Sequence, residues 1–269
     1  MNTRTFITEY GSIQYWVNDF REERKSLIFL PGLTADHRLF DKQILYFKNK
    51  YNCLVWDAPG HGASMNFRLK FSLKDKAEFL HDILESEKIK EPVFIGQSMG
   101  GYVAQMFAEL YPDIAAGFVF IDSAPLKKQY ITAFELWALK HVEPVYRIYP
   151  WKSLMKAGSK GCSDSAYGRQ LMIDMMKNYE KKYYCKLAGH GFRILAEAIE
   201  EDREYEINCP AILICGENDR AGSAKRYNKA WAQNTSLPLY LIENAGHNSN
   251  NDQPEKVNKI IEKFISGLL

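Results

Sequence analysis

The chain of 269 residues has no long hydrophobic run, and none approaches the roughly 18 residues that a membrane-spanning helix requires. Its first residues also lack the apolar core of a secretory signal peptide. The formal net charge is only +2, which gives no concentrated basic surface for nucleic acid. We therefore expect a cytoplasmic protein that binds a small molecule and neither a membrane nor nucleic acid. The sequence leaves the oligomeric state open.

Cysteine is sparse, and its arrangement argues against disulfides. The number of cysteines is odd, and no two of them form a Cys-x-x-Cys pair. They are Cys53, Cys162, Cys185, Cys209 and Cys215. We predict that they are reduced and structural. The histidines likewise show no His-x-x-x-His or similar ligand spacing, so we predict no metal ion.

The composition is that of a globular protein, with 46% hydrophobic and 25% charged residues. Short apolar runs alternate with segments of helical periodicity, which is typical of a parallel sheet covered by helices. We predict an α/β fold with a mostly parallel eight-stranded sheet and helices on both faces. The predicted strands are Thr5 to Tyr10, Ile13 to Val17, Leu27 to Leu30, Cys53 to Trp56, Val93 to Ile95, Phe118 to Ile121, Ile212 to Cys215 and Leu239 to Ile242.

Local signals predict where several elements begin. Gly11-Ser12 separates the first two strands and is predicted to be the turn of an antiparallel hairpin. Ser72 is a predicted N-cap for the helical pattern that follows it. Asp252 and Glu255 have capping-box spacing, with Pro254 in the first turn, and predict the start of a final helix.

The strand rhythm disappears between Pro125 and Tyr205, and about eighty residues is too many for a simple connection. We predict that residues 125–206 form an inserted helical cap, and that residues 1–124 and 207–269 form the core. The predicted breaks between cap helices are Pro144, Pro150, Gly158-Ser159 and Gly161. Large apolar residues of the cap could line a pocket, although each one alone is better explained by packing on the core. They are Trp137, Tyr146, Tyr149, Trp151, Met172, Met175 and Met176.

The most informative motif is Gly96-x-Ser98-x-Gly100, which lies between an apolar strand and a helical pattern. A serine at such a sharp strand-to-helix turn is exposed at the edge of the sheet, and flanking glycines let neighbouring backbone pass closely. The following helix begins with free N–H groups that can stabilise negative charge. We predict that Ser98 is a nucleophile and that the N–H of Met99 helps to bind an oxyanion.

A serine nucleophile needs a base that is oriented by a third group. His247 follows the last predicted strand, and in a parallel sheet its loop lies at the same edge as Ser98. Asp219 follows the preceding predicted strand and is our candidate for the carboxylate that orients His247. Asp122 also ends a strand at this edge and is kept as an alternative, whereas Glu217 lies nearer the strand end and is weaker.

A second oxyanion donor is expected in the loop after the third strand. Pro31 has no N–H, and Gly32 permits a sharp turn that could aim the N–H of Leu33 inward. Leu33 and Met99 are therefore the two predicted donors.

Together these motifs resemble the α/β-hydrolase fold superfamily over almost the whole chain. The order Ser98, Asp219, His247 matches the superfamily order of nucleophile, acid and histidine, and residues 57–64 resemble its glycine-rich turn after the fourth strand. The chain departs from the common pattern in having Gln97 before the nucleophile and Pro31 in the oxyanion loop. A serine at position 98 also speaks against the dehalogenases and epoxide hydrolases of this superfamily, which need a carboxylate there.

The resemblance and the motifs together imply a cofactor-independent serine hydrolase that cleaves an ester or related acyl bond of a small, largely apolar substrate. Two alternatives remain open at this point. The same three residues support carbon–carbon bond cleavage or lyase chemistry, and a hydrolase fold can also serve as a ligand-binding or sensor protein. Metal-dependent hydrolysis is remote, because no ligand spacing supports it.

Overall fold

The computed structural model describes residues 1–268, and its centre is a single sheet whose strands follow the predicted apolar runs. The prediction of an eight-stranded, mostly parallel sheet is confirmed for these residues. The strands are β1 (Asn2–Thr8), β2 (Gly11–Val17), β3 (Ser26–Leu30), β4 (Asn52–Trp56), β5 (Val93–Gln97), β6 (Gly117–Ile121), β7 (Ala211–Gly216) and β8 (Leu239–Ile242).

The strand order is β1-β2-β4-β3-β5-β6-β7-β8. The pairings of β1 with β2 and of β2 with β4 are antiparallel, and the remaining pairings are parallel. The carboxyl ends of β5, β6 and β7 therefore lie side by side at one edge, which is where an open parallel sheet forms its ligand crevice.

Helices cover both faces of the sheet, as predicted. Neighbouring residues of a strand point to opposite faces, so Ile28 of β3 belongs to one apolar core and Phe29 belongs to the other. The helices are α1 (Asp41–Phe47), α2 (Leu73–Ser86), α3 (Met99–Leu110), α4 (Ala133–Lys140), α5 (Val142–Ile148), α6 (Trp151–Cys162), α7 (Ala166–Lys177), α8 (Lys181–Glu200), α9 (Ala224–Thr235), α10 (Ser249–Asp252) and α11 (Pro254–Ser266). Among residues 1–268, no helix is both long and apolar enough to cross a membrane.

The hairpin turn is one place where the sequence prediction is wrong. Thr8 pairs with Gly11, so the turn consists of Glu9 and Tyr10, and Gly11 already belongs to β2. The Thr8 hydroxyl stabilises this turn, because it accepts from the Tyr10 N–H and donates to the Gly11 carbonyl. Glycine is needed at position 11 because its φ is +148° and a Cβ would lie 2.6 Å from the Asn66 carbonyl oxygen.

Most of the predicted breaks between the helices that connect β6 to β7 are wrong. Gly158, Ser159 and Gly161 lie inside α6, and Pro144 lies in the first turn of α5, where a proline is tolerated. Only Pro150 marks a break as predicted, because it is the residue directly before α6. Glycine costs a helix about 1 kcal/mol, and the apolar packing of α6 outweighs that cost.

The helix α3 crosses the sheet so closely that Gly100 has no room for a side chain. A Cβ at this position would lie 1.8 Å from the carbonyl oxygen of Leu30 in β3. Because that contact is with backbone, no rotamer change can relieve it. The close crossing is what lets α3 begin directly at the end of β5.

We expect Gly100→Ala to lower the free energy of unfolding by about 3 kcal/mol or more, because an overpacked core shifts backbone. Chemical denaturation followed by circular dichroism measures this. Gly161→Ala is the matched control, since a Cβ there meets nothing within 4 Å. It should be neutral or stabilising by up to about 1 kcal/mol. Equal effects of the two substitutions would contradict the close crossing.

Candidate active site

Ser98 lies at the turn between β5 and α3 in a backbone conformation that side chains rarely adopt. Its φ is 49° and its ψ is −116°, and Met99 is the first residue of α3. Its N–H donates to the carbonyl of Ile121 at the end of β6, which fixes the turn. Gly96 permits the turn, because a Cβ there would lie 2.6 Å from the Gly100 carbonyl oxygen. The strained geometry directs the Ser98 hydroxyl away from the sheet.

His247 follows β8 and lies beside this hydroxyl. Its Nε2 is 2.8 Å from Ser98 Oγ, and its Nδ1 is 3.0 Å from Asp219 Oδ2. Burial opposes a positive charge on the imidazole, but the charge of Asp219 and its hydrogen bond outweigh burial, so the pKa of His247 lies above its ordinary value. The three predicted residues thus form a continuous hydrogen-bonded chain.

Asp219, rather than Asp122, contacts the imidazole. The second oxygen of Asp219 accepts from the Ala221 N–H, which orients the carboxylate. Asp122 is fully engaged elsewhere, because it accepts from the Gly216 N–H and from both the N–H and the hydroxyl of Ser249. Burial and the nearby charge of Asp219 raise the pKa of Asp122 above its ordinary value.

Asp122 and Gln97 hold the surrounding loops, and the sequence reasoning assigned neither of them this task. Asp122 connects the end of β7, which precedes Asp219, to Ser249, which follows His247. The side-chain amide of Gln97 donates to the His247 carbonyl at 2.7 Å and lies 3.2 Å from Asn248 Oδ1. Its position directly before Ser98, at the end of a buried strand, was the only available signal. Both side chains position the loop that carries the imidazole.

Asp252 does not form the predicted capping box. The helix α11 begins at Pro254 after Gln253, and no side chain caps it. The Asp252 carboxylate instead accepts from the N–H groups of Asp164 and Gly246, at 2.8 Å each, and from further donors in the segment before α7. These bonds outweigh the effect of burial and lower the pKa of Asp252. The Asp252 side chain therefore makes long-range hydrogen bonds in place of the helix cap that the local sequence pattern predicts.

The loop after β3 turns sharply against Ser98, as the sequence predicted for Gly32. The Ala35 N–H donates to the Gly32 carbonyl, and Thr34 has a φ of 63°. A Cβ at Gly32 would lie 2.3 Å from Gln97 Oε1 and 3.2 Å from Ser98 Cβ. Leu33 and Met99 both line the cavity beside Ser98.

A cavity of about 720 Å³ opens above Ser98 and His247. Its walls come from the loop after β3, from the start of α3 and from the helices between β6 and β7. Most of its lining is apolar, as in many small-molecule sites. Four of the seven large apolar residues named as pocket candidates line it, namely Tyr146, Tyr149, Met172 and Met176.

Two clusters of potential metal ligands occur among residues 1–268, but protein donors already occupy their oxygens. The cluster of Asp122, Cys215 and Asp219 includes the carboxylates described above. The second consists of Asp36, His37 and Asp57, and Asp57 accepts from the His37 N–H and the Ala63 N–H. We assign a metal ion to neither cluster.

The fold and this site define a class of protein. The sequence pattern described as the alpha/beta hydrolase fold matches residues 25–254 of the chain. The chain therefore belongs to the α/β-hydrolase fold family, as its motifs implied. Membership in this family, together with relatives named as hydrolases, places the chain among hydrolase enzymes.

Individual relatives are distant but match nearly full length. The hydrolase YugF of Bacillus subtilis is 25% identical over 250 residues, which cover 90% of each chain. The 3-oxoadipate enol-lactonase 1 of Acinetobacter baylyi is 25% identical over 261 residues, covering 92% of this chain and 91% of that protein. The structure of a thermophilic esterase from Thermogutta terrifontis superimposes with a TM-score of 0.77 at 19% identity, covering 100% and 99% of the two chains. At that identity the superposition shows the shared fold.

Proposed function

We propose that the chain is a cofactor-independent serine hydrolase that cleaves an ester or related acyl bond of a small, largely apolar substrate. The observation that carries this proposal is the chain of hydrogen bonds from Ser98 through His247 to Asp219, at 2.8 and 3.0 Å, at the floor of an apolar cavity. One relative is named as an enol-lactonase, and a lactone is a cyclic ester.

In this mechanism the Ser98 oxygen attacks the acyl carbon while His247 Nε2 accepts the hydroxyl proton. Asp219 fixes the imidazole tautomer and stabilises the imidazolium. The tetrahedral oxyanion is bound by the N–H groups of Leu33 and Met99. His247 then donates its proton to the leaving group, and a water molecule deprotonated by His247 releases the acyl group.

We further propose that residues 125–206 form a cap over the core of residues 1–124 and 207–269. The cap and core surfaces meet closely, because a Cβ at Gly191 of α8 would lie 2.2 Å from Leu33 Cδ1. The apolar residues of the cap that line the cavity favour an acyl group without charge. Cap contacts therefore select the substrate, while the core performs the chemistry.

A fluorophosphonate probe tests the activated serine directly. Peptide mass spectrometry of the treated protein should locate the adduct on Ser98, and the label should disappear in His247→Ala. His81→Ala is the matched control, because His81 lies on α2 and stacks on Tyr111. Folded protein that remains unlabelled would contradict the proposed function and favour lyase chemistry or ligand binding.

The pH profile of ester hydrolysis should report His247. Only the neutral imidazole accepts a proton, so kcat/KM falls as the pH drops through the pKa of His247, which Asp219 raises above its ordinary value. Asp219→Asn removes the charge that raises this pKa, so the acid limb should move to lower pH while the maximal rate falls. A limb that stays in place after this substitution would show that another group titrates.

A further inference from the structure

The outer surface of the cap exposes large apolar side chains that proteins normally bury. Phe134 and Trp137 of α4 are 73% and 56% exposed, and Ile148 of α5 is 83% exposed. Single exposed apolar residues are ordinary, but a contiguous group of them marks an interaction surface.

These side chains lie on two consecutive helices, α4 and α5, which meet at His141. The rings of Phe134 and Trp137 stack at 5.9 Å, and Trp137 stacks on His141 at 4.4 Å. Val145 and Ile148 lie on the next helix, α5, which begins after His141, and their three-residue spacing places both side chains on one face of that helix. Val145 is 50% exposed and also lines the cavity. The outer apolar stripe, residues 134–149, therefore continues into the wall of the active-site cavity.

Basic residues predominate in the segment that contains the outer apolar stripe, although Lys140 pairs with Glu200 and Arg147 pairs with Glu143. Residues 127–160 contain seven lysines and arginines and only two acidic residues, both glutamates. Lys152, Lys156 and Lys160 are exposed at four-residue spacing along one side of α6. None of the three pairs with a carboxylate within residues 1–268.

The lysine row lies on the outside of the cap. Leu154 of α6 lines the cavity, and Lys152 is two positions before it, which places the two side chains on nearly opposite sides of a helix. The same spacing separates Lys156 from Gly158, which also lines the cavity. The row therefore faces away from the substrate, as a surface contact requires.

The combination of apolar, aromatic and basic residues indicates which kind of partner binds this surface. A second copy of the chain would bring a positive surface against a positive surface. An anionic lipid surface instead accepts the apolar and aromatic side chains at its boundary and attracts the lysines. We propose that the outer apolar stripe and the lysine row dock this protein on an anionic lipid surface. The sequence predicts no membrane contact because the chain has no long apolar run. That absence excludes a membrane-spanning helix, but it does not exclude binding to a lipid surface.

Docking in this orientation brings one wall of the cavity to the lipid, because Val145 belongs both to the stripe and to the cavity wall. The binding itself requires no hydrolysis. It can therefore be measured on Ser98→Ala protein, and its outcome is independent of the proposed function.

Cosedimentation with vesicles tests the proposal. The full chain should bind vesicles of phosphatidylcholine mixed with phosphatidylserine, bind phosphatidylcholine alone much more weakly, and lose affinity as salt increases. The triple variants F134S/W137S/I148S and K152E/K156E/K160E should each weaken binding at least about tenfold. Ile7→Ser is the matched control, since Ile7 is 77% exposed but lies on the edge strand β1.

Thermal melting should show that both triple variants remain folded, because every changed side chain is exposed. Absence of binding to anionic vesicles would overturn the proposal, as would binding that neither triple variant reduces. Sedimentation equilibrium supplies a further check. If the protein forms a dimer and F134S/W137S/I148S dissociates it, the stripe is the interface with a second copy of the chain. That result would also overturn the proposal that the stripe docks on lipid.

Discussion

Ser98→Ala is expected to reduce ester turnover by at least about 10⁴-fold, because the nucleophile is lost while the cavity remains. The substitution removes one oxygen, which hydrogen bonds to His247 Nε2. The melting temperature should therefore change little. Steady-state kinetics on a short-chain ester, with calorimetry on the same preparations, measures both quantities.

Ser123→Ala is the matched control for this experiment. Ser123 is buried next to the same turn, since a Cβ at Gly101 would lie 2.4 Å from its hydroxyl oxygen. Its hydroxyl has no hydrogen-bond partner within residues 1–268. Turnover should survive this substitution. Full activity of Ser98→Ala, in protein free of contaminating esterase, would refute the nucleophile assignment.

Asp219→Asn is expected to reduce kcat by about 10³- to 10⁴-fold, because an amide can orient the imidazole of His247 in the wrong tautomer and cannot stabilise the imidazolium. The carboxylate contacts Nδ1 at 3.0 Å, so the effect should fall on kcat more than on KM. Stopped-flow or steady-state kinetics with a chromogenic ester measures the change.

Asp122→Asn separates the orienting role from loop positioning. Asp122 contacts Gly216 and Ser249 but makes no hydrogen bond to His247 in the part of the chain that the structure describes. We expect about 2 kcal/mol of destabilisation, since an amide cannot accept from all these donors. The loss of kcat should be far smaller than for Asp219→Asn. The reverse ranking, in folded proteins, would transfer the orienting role to Asp122.

The sheet could be predicted because apolar runs of β-branched and aromatic residues are a local signal. Strand β5 and the start of α3 follow directly from the residues around Ser98. The topology of the sheet predicts the rest of the site. Loops that leave the carboxyl ends of neighbouring parallel strands lie close together, so Asp219 after β7 and His247 after β8 are predicted to lie near Ser98.

The remainder depends on contacts between distant segments, which local patterns do not encode. Asp252 has the spacing of a helix cap, yet its carboxylate accepts hydrogen bonds from the segment around Asp164 and does not cap α11. Gly158 resembles a helix break, yet packing of α6 keeps it helical. The size of Trp137 makes it a candidate for the pocket, but its side chain faces outward and is 56% exposed. Each outcome follows from how helices pack in space.

The hydrogen-bonded chain at the site also has a consequence for protein synthesis. Ser98 follows the fifth strand, Asp219 follows the seventh, and His247 follows the eighth. Because the imidazole is the last of these groups to leave the ribosome, a nascent chain cannot contain an assembled site until every strand of the sheet has been made. The activity therefore cannot appear before His247, which also forms part of the cavity wall, has left the ribosome.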